Sequence, residues 1–167
     1  MEESNTVAFL IIRNDSIRLE QYANEYEASS PIASFSMAKS FTSVLIGMAI
    51  EDGWIQSEED LVIRYIPELK DNGFEQVTIR HLLQMTSGLD FNESYYSPFS
   101  EAADFYYGTR LRRAILNLKL KNPPGIQFEY TSGNTQLLGL VLERALRDRT
   151  INTVSSGENL DTVTDGV

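Results

Sequence analysis

The tetrad Ser36-Met37-Ala38-Lys39 sets a hydroxyl and an amine three positions apart at the start of an apolar-periodic segment. On a helix, positions i and i+3 share a face, so the two groups fall within hydrogen-bond reach. A serine hydroxyl is a poor nucleophile until a base takes its proton. A neutral lysine can be that base, and burial or nearby positive charge favours the neutral form. A helix N-terminus adds positive potential where negative charge develops. The chemistry in question is nucleophilic acyl transfer. The plain alternative is also physical: serine commonly caps helices, first-turn lysines are usually solvated, and S-x-x-K strings arise by chance. His81 is the single histidine. No G-x-S-x-G accompanies it, so it is expected to be structural rather than a triad base.

The hydrophobic pattern indicates what would position these groups. Residues 6–13 are rich in Val, Ile, Leu and Phe, Asn14-Asp15 is turn chemistry, and residues 17–21 alternate with period two. This predicts a β-hairpin, which should join a larger sheet. Residues 36–52 contain no proline and repeat apolar side chains at Phe41, Val44, Leu45, Met48 and Ala49, predicting an amphipathic helix closed by Gly53. A short turn or helix is expected around Pro67, and Thr78 should cap a helix over 79–85. Residues 90–108 read as irregular and aromatic-rich. Tyr95, Tyr96, Phe99, Tyr106 and Tyr107 there suit either a pocket for uncharged substrates or, with greater weight, the edge of the core. A basic helix is expected over 110–121, a break at Asn122-Pro123-Pro124-Gly125, and a helix over 135–146. The polar residues 149–167 read as a disordered tail beyond a domain spanning 1–148.

Composition narrows the function. The 167 residues include 14 basic and 24 acidic side chains, a net charge of -10. Such a chain repels phosphate backbones, which argues against nucleic-acid partners. The absence of cysteine excludes disulfides and thiolate chemistry, and one histidine excludes a poly-histidine metal site. The acidic start Met1-Glu2-Glu3 lacks the positive region of a signal peptide, and residues 7–12 are too short to span a bilayer. As written, the chain reads as cytoplasmic, with its compartment and oligomeric state open.

Three strings occur in an order that resembles the β-lactamase-related serine hydrolases. This group includes class C β-lactamases, D-alanyl-D-alanine carboxypeptidases, esterases and 6-aminohexanoate-dimer hydrolases. The first string surrounds the tetrad, from Ser34 to Ser43. The second, Val77-Thr78-Ile79-Arg80-His81-Leu82-Leu83-Gln84-Met85-Thr86-Ser87-Gly88-Leu89, is similar to a structural landmark of the group. The third, Phe128-Glu129-Tyr130-Thr131-Ser132-Gly133-Asn134, resembles its second catalytic motif. The resemblance implies an α+β, β-lactamase/transpeptidase-like fold whose later sheet strands are missing here. It implies a hydrolase of small amides or esters, with an acyl-enzyme on Ser36, Lys39 and Tyr130 as proton shuttle, and no cofactor. In the family an asparagine follows two places after the tyrosine. Ser132 stands there instead, which brings the chain nearer the esterase and nylon-oligomer branch. Ser132 and Asn134 are the expected substrate contacts. The third family motif, Lys or His then Thr or Ser then Gly, has no counterpart on a strand, and the family draws one oxyanion donor from that region. A truncated, inactive remnant or a ligand-binding module of the same fold is therefore the alternative.

Overall fold

The computed structural model describes residues 6–94 and 100–146. The expected tail at 149–167 and the aromatic residues Tyr95, Tyr96 and Phe99 lie outside the described residues. The chain divides into two compact units, one ending at Phe35 and the other beginning at Ser36.

The first unit holds strands β1 (Ala8–Arg13) and β2 (Ser16–Tyr22), paired antiparallel from Ala8↔Tyr22 to Arg13↔Ser16. Asn14 and Asp15 adopt φ of 50° and 57°. Two left-handed residues in a two-residue loop match the right-handed twist of the flanking strands, and Asn and Asp tolerate that region. A bulge between Ile11 and Ile12 shifts the register. The larger sheet expected from sequence does not form among the described residues: this sheet has two strands. Ile12 and Ile17 remain 64% and 55% exposed.

A 3-10 turn at Phe35–Met37 leads into helix α1 (Ala38–Glu51) of the second unit. Gly53, at φ 76°, ends it in the left-handed conformation expected of a C′ glycine. The buried face matches the expected stripe in part: Ala49 is buried and Leu45 packs against the core. Ile46 and Ala49 are fully buried, whereas Phe41 and Val44 are exposed. The helix is apolar on several sides, so spacing alone offers more than one stripe, and packing against the last helix selects Ile46 and Ala49.

Short 3-10 turns at Val62–Arg64, Pro67–Asn72 and Phe74–Gln76 follow, then α2 (Ile79–Leu83). The region read as irregular contains strand β3 (Leu89–Asp90) and helix α3 (Glu101–Tyr107). Ser100 caps α3 by accepting the Ala103 N–H at 3.1 Å. The expected basic helix is only α4 (Leu111–Leu116); residues beyond it form β4 (Lys119–Leu120), antiparallel to β3. Long-range pairing there overrides helix propensity. The last helix, α5 (Ser132–Leu146), begins three residues earlier than periodicity suggests. Both α1 and α2 pack on α5, around fully buried Ile46, Ile79, Leu82, Leu137 and Val141. No helix among the described residues is long and apolar enough to cross a membrane.

Candidate active site

Phe35, immediately before Ser36, has φ of 44°. A left-handed phenylalanine is a strained conformation of the kind that concentrates at functional turns. Ser36 lies in the 3-10 turn and Lys39 in the first turn of α1. Lys39 Nζ donates to Ser36 Oγ at 3.3 Å, as the i, i+3 spacing predicts. The same Nζ stands 5.1 Å from the centroid of the Tyr130 ring, within cation–π range. The Tyr130 phenol is held below its ordinary value. The largest cause is its hydrogen bond with Ser36; a hydrogen bond with Lys39 and that residue's charge act in the same direction, while burial and the Glu93 charge oppose them. The structure thus brings Ser36, Lys39 and Tyr130 together, with Tyr130 44% exposed.

The segment carrying Tyr130 is anchored on both sides. Before it, the Glu129 N–H donates to the Met85 carbonyl at 2.8 Å, and the Glu129 carboxylate accepts from Lys121 Nζ at 2.7 Å. After it, Ser132 donates its N–H to Glu93 Oε2 at 2.7 Å and its hydroxyl to Glu93 Oε1 at 2.5 Å. Asn134 is 1% exposed. Its Oδ1 accepts from Ser87 Oγ at 2.5 Å, and its Nδ2 donates to Thr131 Oγ1 at 2.8 Å and to Met85 Sδ at 3.3 Å. Of the two expected substrate contacts, Ser132 is therefore half-buried beside Glu93, and Asn134 lies beneath the segment with its amide engaged inside the protein.

His81 stands apart from this chemistry. Its N–H donates to Thr78 Oγ1 at 3.2 Å, and its Nδ1 accepts the Thr78 N–H at 3.2 Å. This reciprocal capping box makes it a structural histidine. The aromatic stretch divides: Phe91 is buried edge-on against Phe105, with centroids 5.2 Å apart, whereas Tyr106 and Tyr107 are exposed. Glu93 escaped sequence reasoning because no local spacing marks it; its partner Ser132 is 39 positions away. Among the described residues, no group of three or more His, Asp or Glu side chains is arranged to hold a metal ion.

The model of the Beta-lactamase family matches residues 1–154. The chain belongs to that family. A curated relative, the 6-aminohexanoate-dimer hydrolase of Paenarthrobacter ureafaciens, is 28% identical over 93% of this chain and 42% of its own length. Protein flp of Staphylococcus aureus (strain N315) is 29% identical over 84% of the chain and 30% of its own length. A solved structure from Bacillus anthracis, provisionally named a 6-aminohexanoate-dimer hydrolase, superposes with a TM-score of 0.76 at 24% identity, covering 92% of this chain and 44% of that one. That likeness establishes the β-lactamase/transpeptidase-like fold. The chain spans less than half the length of the curated relatives it matches.

Proposed function

We propose that the chain is a serine hydrolase of small amides or esters that forms an acyl-enzyme on Ser36. The observation that carries this reading is the convergence of Lys39 Nζ on both Ser36 Oγ, at 3.3 Å, and the Tyr130 ring, at 5.1 Å. Its resemblance to the 6-aminohexanoate-dimer hydrolase of Paenarthrobacter ureafaciens supports the amide-and-ester class.

In the forward step, the Lys39–Tyr130 pair takes the Ser36 proton and Oγ bonds to the substrate carbonyl carbon. The carbonyl π pair moves to oxygen. As that pair returns, the bond to the leaving nitrogen or oxygen breaks, and the shuttle hands the departing atom its proton. Water then gives a proton to the Lys39–Tyr130 pair as its oxygen bonds to the ester carbonyl carbon; when the adduct collapses the carbon–Oγ bond breaks, the carboxylic acid leaves, and the pair returns that proton to Ser36 Oγ. A depressed phenol pKa suits Tyr130 to the proton-accepting half of this cycle. Ser132, half-buried beside Glu93, is the proposed polar contact for substrate, and Asn134 holds its segment through Thr131.

Intact-mass spectrometry after incubation with a fluorophosphonate or an activated ester tests the reading. The expected result is one adduct, absent in Ser36→Ala. A folded wild-type chain that takes no adduct would overturn it. That outcome would favour a non-enzymatic module of the same fold.

A further inference from the structure

We propose that Glu93 is a positioning residue: its carboxylate clamps the first residue of α5 and so holds Tyr130 against Ser36 and Lys39. This inference rests on the hydrolase reading for its functional meaning, but not for its test.

The geometry carries it. Both carboxylate oxygens of Glu93 are used on one residue, Oε2 on the Ser132 N–H at 2.7 Å and Oε1 on the Ser132 hydroxyl at 2.5 Å. Bonds to an ionised acceptor are the stronger kind, and two of them fix orientation as well as distance. The carboxylate also sits at the N-terminus of a 15-residue helix, where negative charge is favoured. Tyr130 lies between two anchors. Glu129 is tied to the Met85 carbonyl on one side, and Ser132 is tied to Glu93 on the other. Loss of the second anchor leaves the far side of Tyr130 held only through Thr131, whose hydroxyl accepts from Asn134 Nδ2 at 2.8 Å.

The clamp has an electrostatic consequence. The charged groups acting on the phenol are Lys39 from α1 and Glu93 from the segment after β3; neighbouring Glu129 is paired with Lys121. Lys39 favours phenolate and Glu93 disfavours it. Glu93 therefore fixes the position of Tyr130 while restraining its ionisation. A glutamine would retain two hydrogen-bonding atoms without the charge, and an alanine would retain neither.

The test uses the full chain labelled at tyrosine Cζ, with the Tyr130 resonance assigned by its loss in Tyr130→Phe. Glu93→Gln is expected to move the Tyr130 titration to lower pH while the Ser132 amide keeps its protection from hydrogen exchange. Glu93→Ala is expected to speed Ser132 exchange by about tenfold or more, with the Leu138 and Val141 amides unchanged as a control for folding. Should Glu93→Ala not fold, Glu93→Asp, which keeps the charge and shortens the reach, is read by the same Ser132 exchange. An unmoved Tyr130 titration in Glu93→Gln, or equal Ser132 exchange in folded wild type and Glu93→Ala, would overturn the proposal. Neither readout needs acylation. Faster Ser132 exchange in Glu93→Ala of a chain that takes no Ser36 adduct would sink the hydrolase reading and leave the clamp standing.

Discussion

Each side chain of the candidate site has a separable job. Removing the Tyr130 hydroxyl with Tyr130→Phe should slow Ser36 acylation by roughly 10²–10⁴-fold, the usual contribution of a positioned proton-transfer group, as read by adduct formation over time. The pH dependence follows from the sign of the shift. In the proposed mechanism phenolate accepts the proton, and its population grows as pH rises. Because Ser36 and Lys39 depress the Tyr130 pKa, the acylation rate should climb at a pH below the ordinary phenol range. Lys39→Met should displace that climb to higher pH; an identical profile would remove Lys39 from the shuttle. A different phenol makes a stability prediction. Burial, then the 2.6 Å hydrogen bond to Asp60, pushes Tyr65 up to about 12. A raised folded-state pKa gives stability that is complete below the unfolded value of about 10 and is lost as pH rises toward the folded one. Urea unfolding should therefore weaken more steeply between these pH values in wild type than in Tyr65→Phe. At neutral pH the variant should be less stable by about 0.5–1.5 kcal/mol. Of the site itself, Ser36, Lys39 and Tyr130 were legible because a helical turn fixes the first pair and a motif carries the third. Glu93 was not, since its meaning depends on a contact that only the folded chain creates.

At the level of elements, local chemistry was legible and long-range pairing was not. The hairpin and the Thr78 cap are written in turn and capping residues close together in sequence. The switch from α4 to β4 depends on β3, far upstream, and cannot be seen in the local string. Gly88 enforces that arrangement. At φ 75°, it presents its α-carbon so closely that an added Cβ would lie 2.1 Å from the Asn122 carbonyl oxygen, while its own carbonyl accepts the Lys121 N–H at 2.9 Å. Gly53 has φ 76° but open space around it. Gly53→Ala should cost about 1–2 kcal/mol, the left-handed penalty alone. Gly88→Ala should cost about 3 kcal/mol or more, because backbone must also move. Equal unfolding midpoints for the two variants would contradict the close approach.

Across the whole molecule, apolar character and burial part company. Phe41 is 65% exposed on α1, five positions before fully buried Ile46. Chemical denaturation should therefore find Phe41→Ala within about 0.5 kcal/mol of wild type, against a loss of about 2–5 kcal/mol for Ile46→Ala. A loss of the core magnitude at Phe41 would mean that this side is packed in solution. Hydrophobic periodicity identified α1 as a helix and found Leu45 and Ala49 on its inner face but also placed exposed Phe41 and Val44 there, since a stripe is chosen by what packs on it.

The approach of Lys39 to Tyr130 joins the beginning of α1 to the turn that opens α5, across most of the second unit's sequence. Closing so long a loop is entropically costly, and such contacts tend to form late during refolding. The hairpin, by contrast, needs only its own turn. Reactivity of Ser36 during refolding should consequently lag behind the recovery of secondary structure, making the proposed nucleophile a clock for the last stage of assembly.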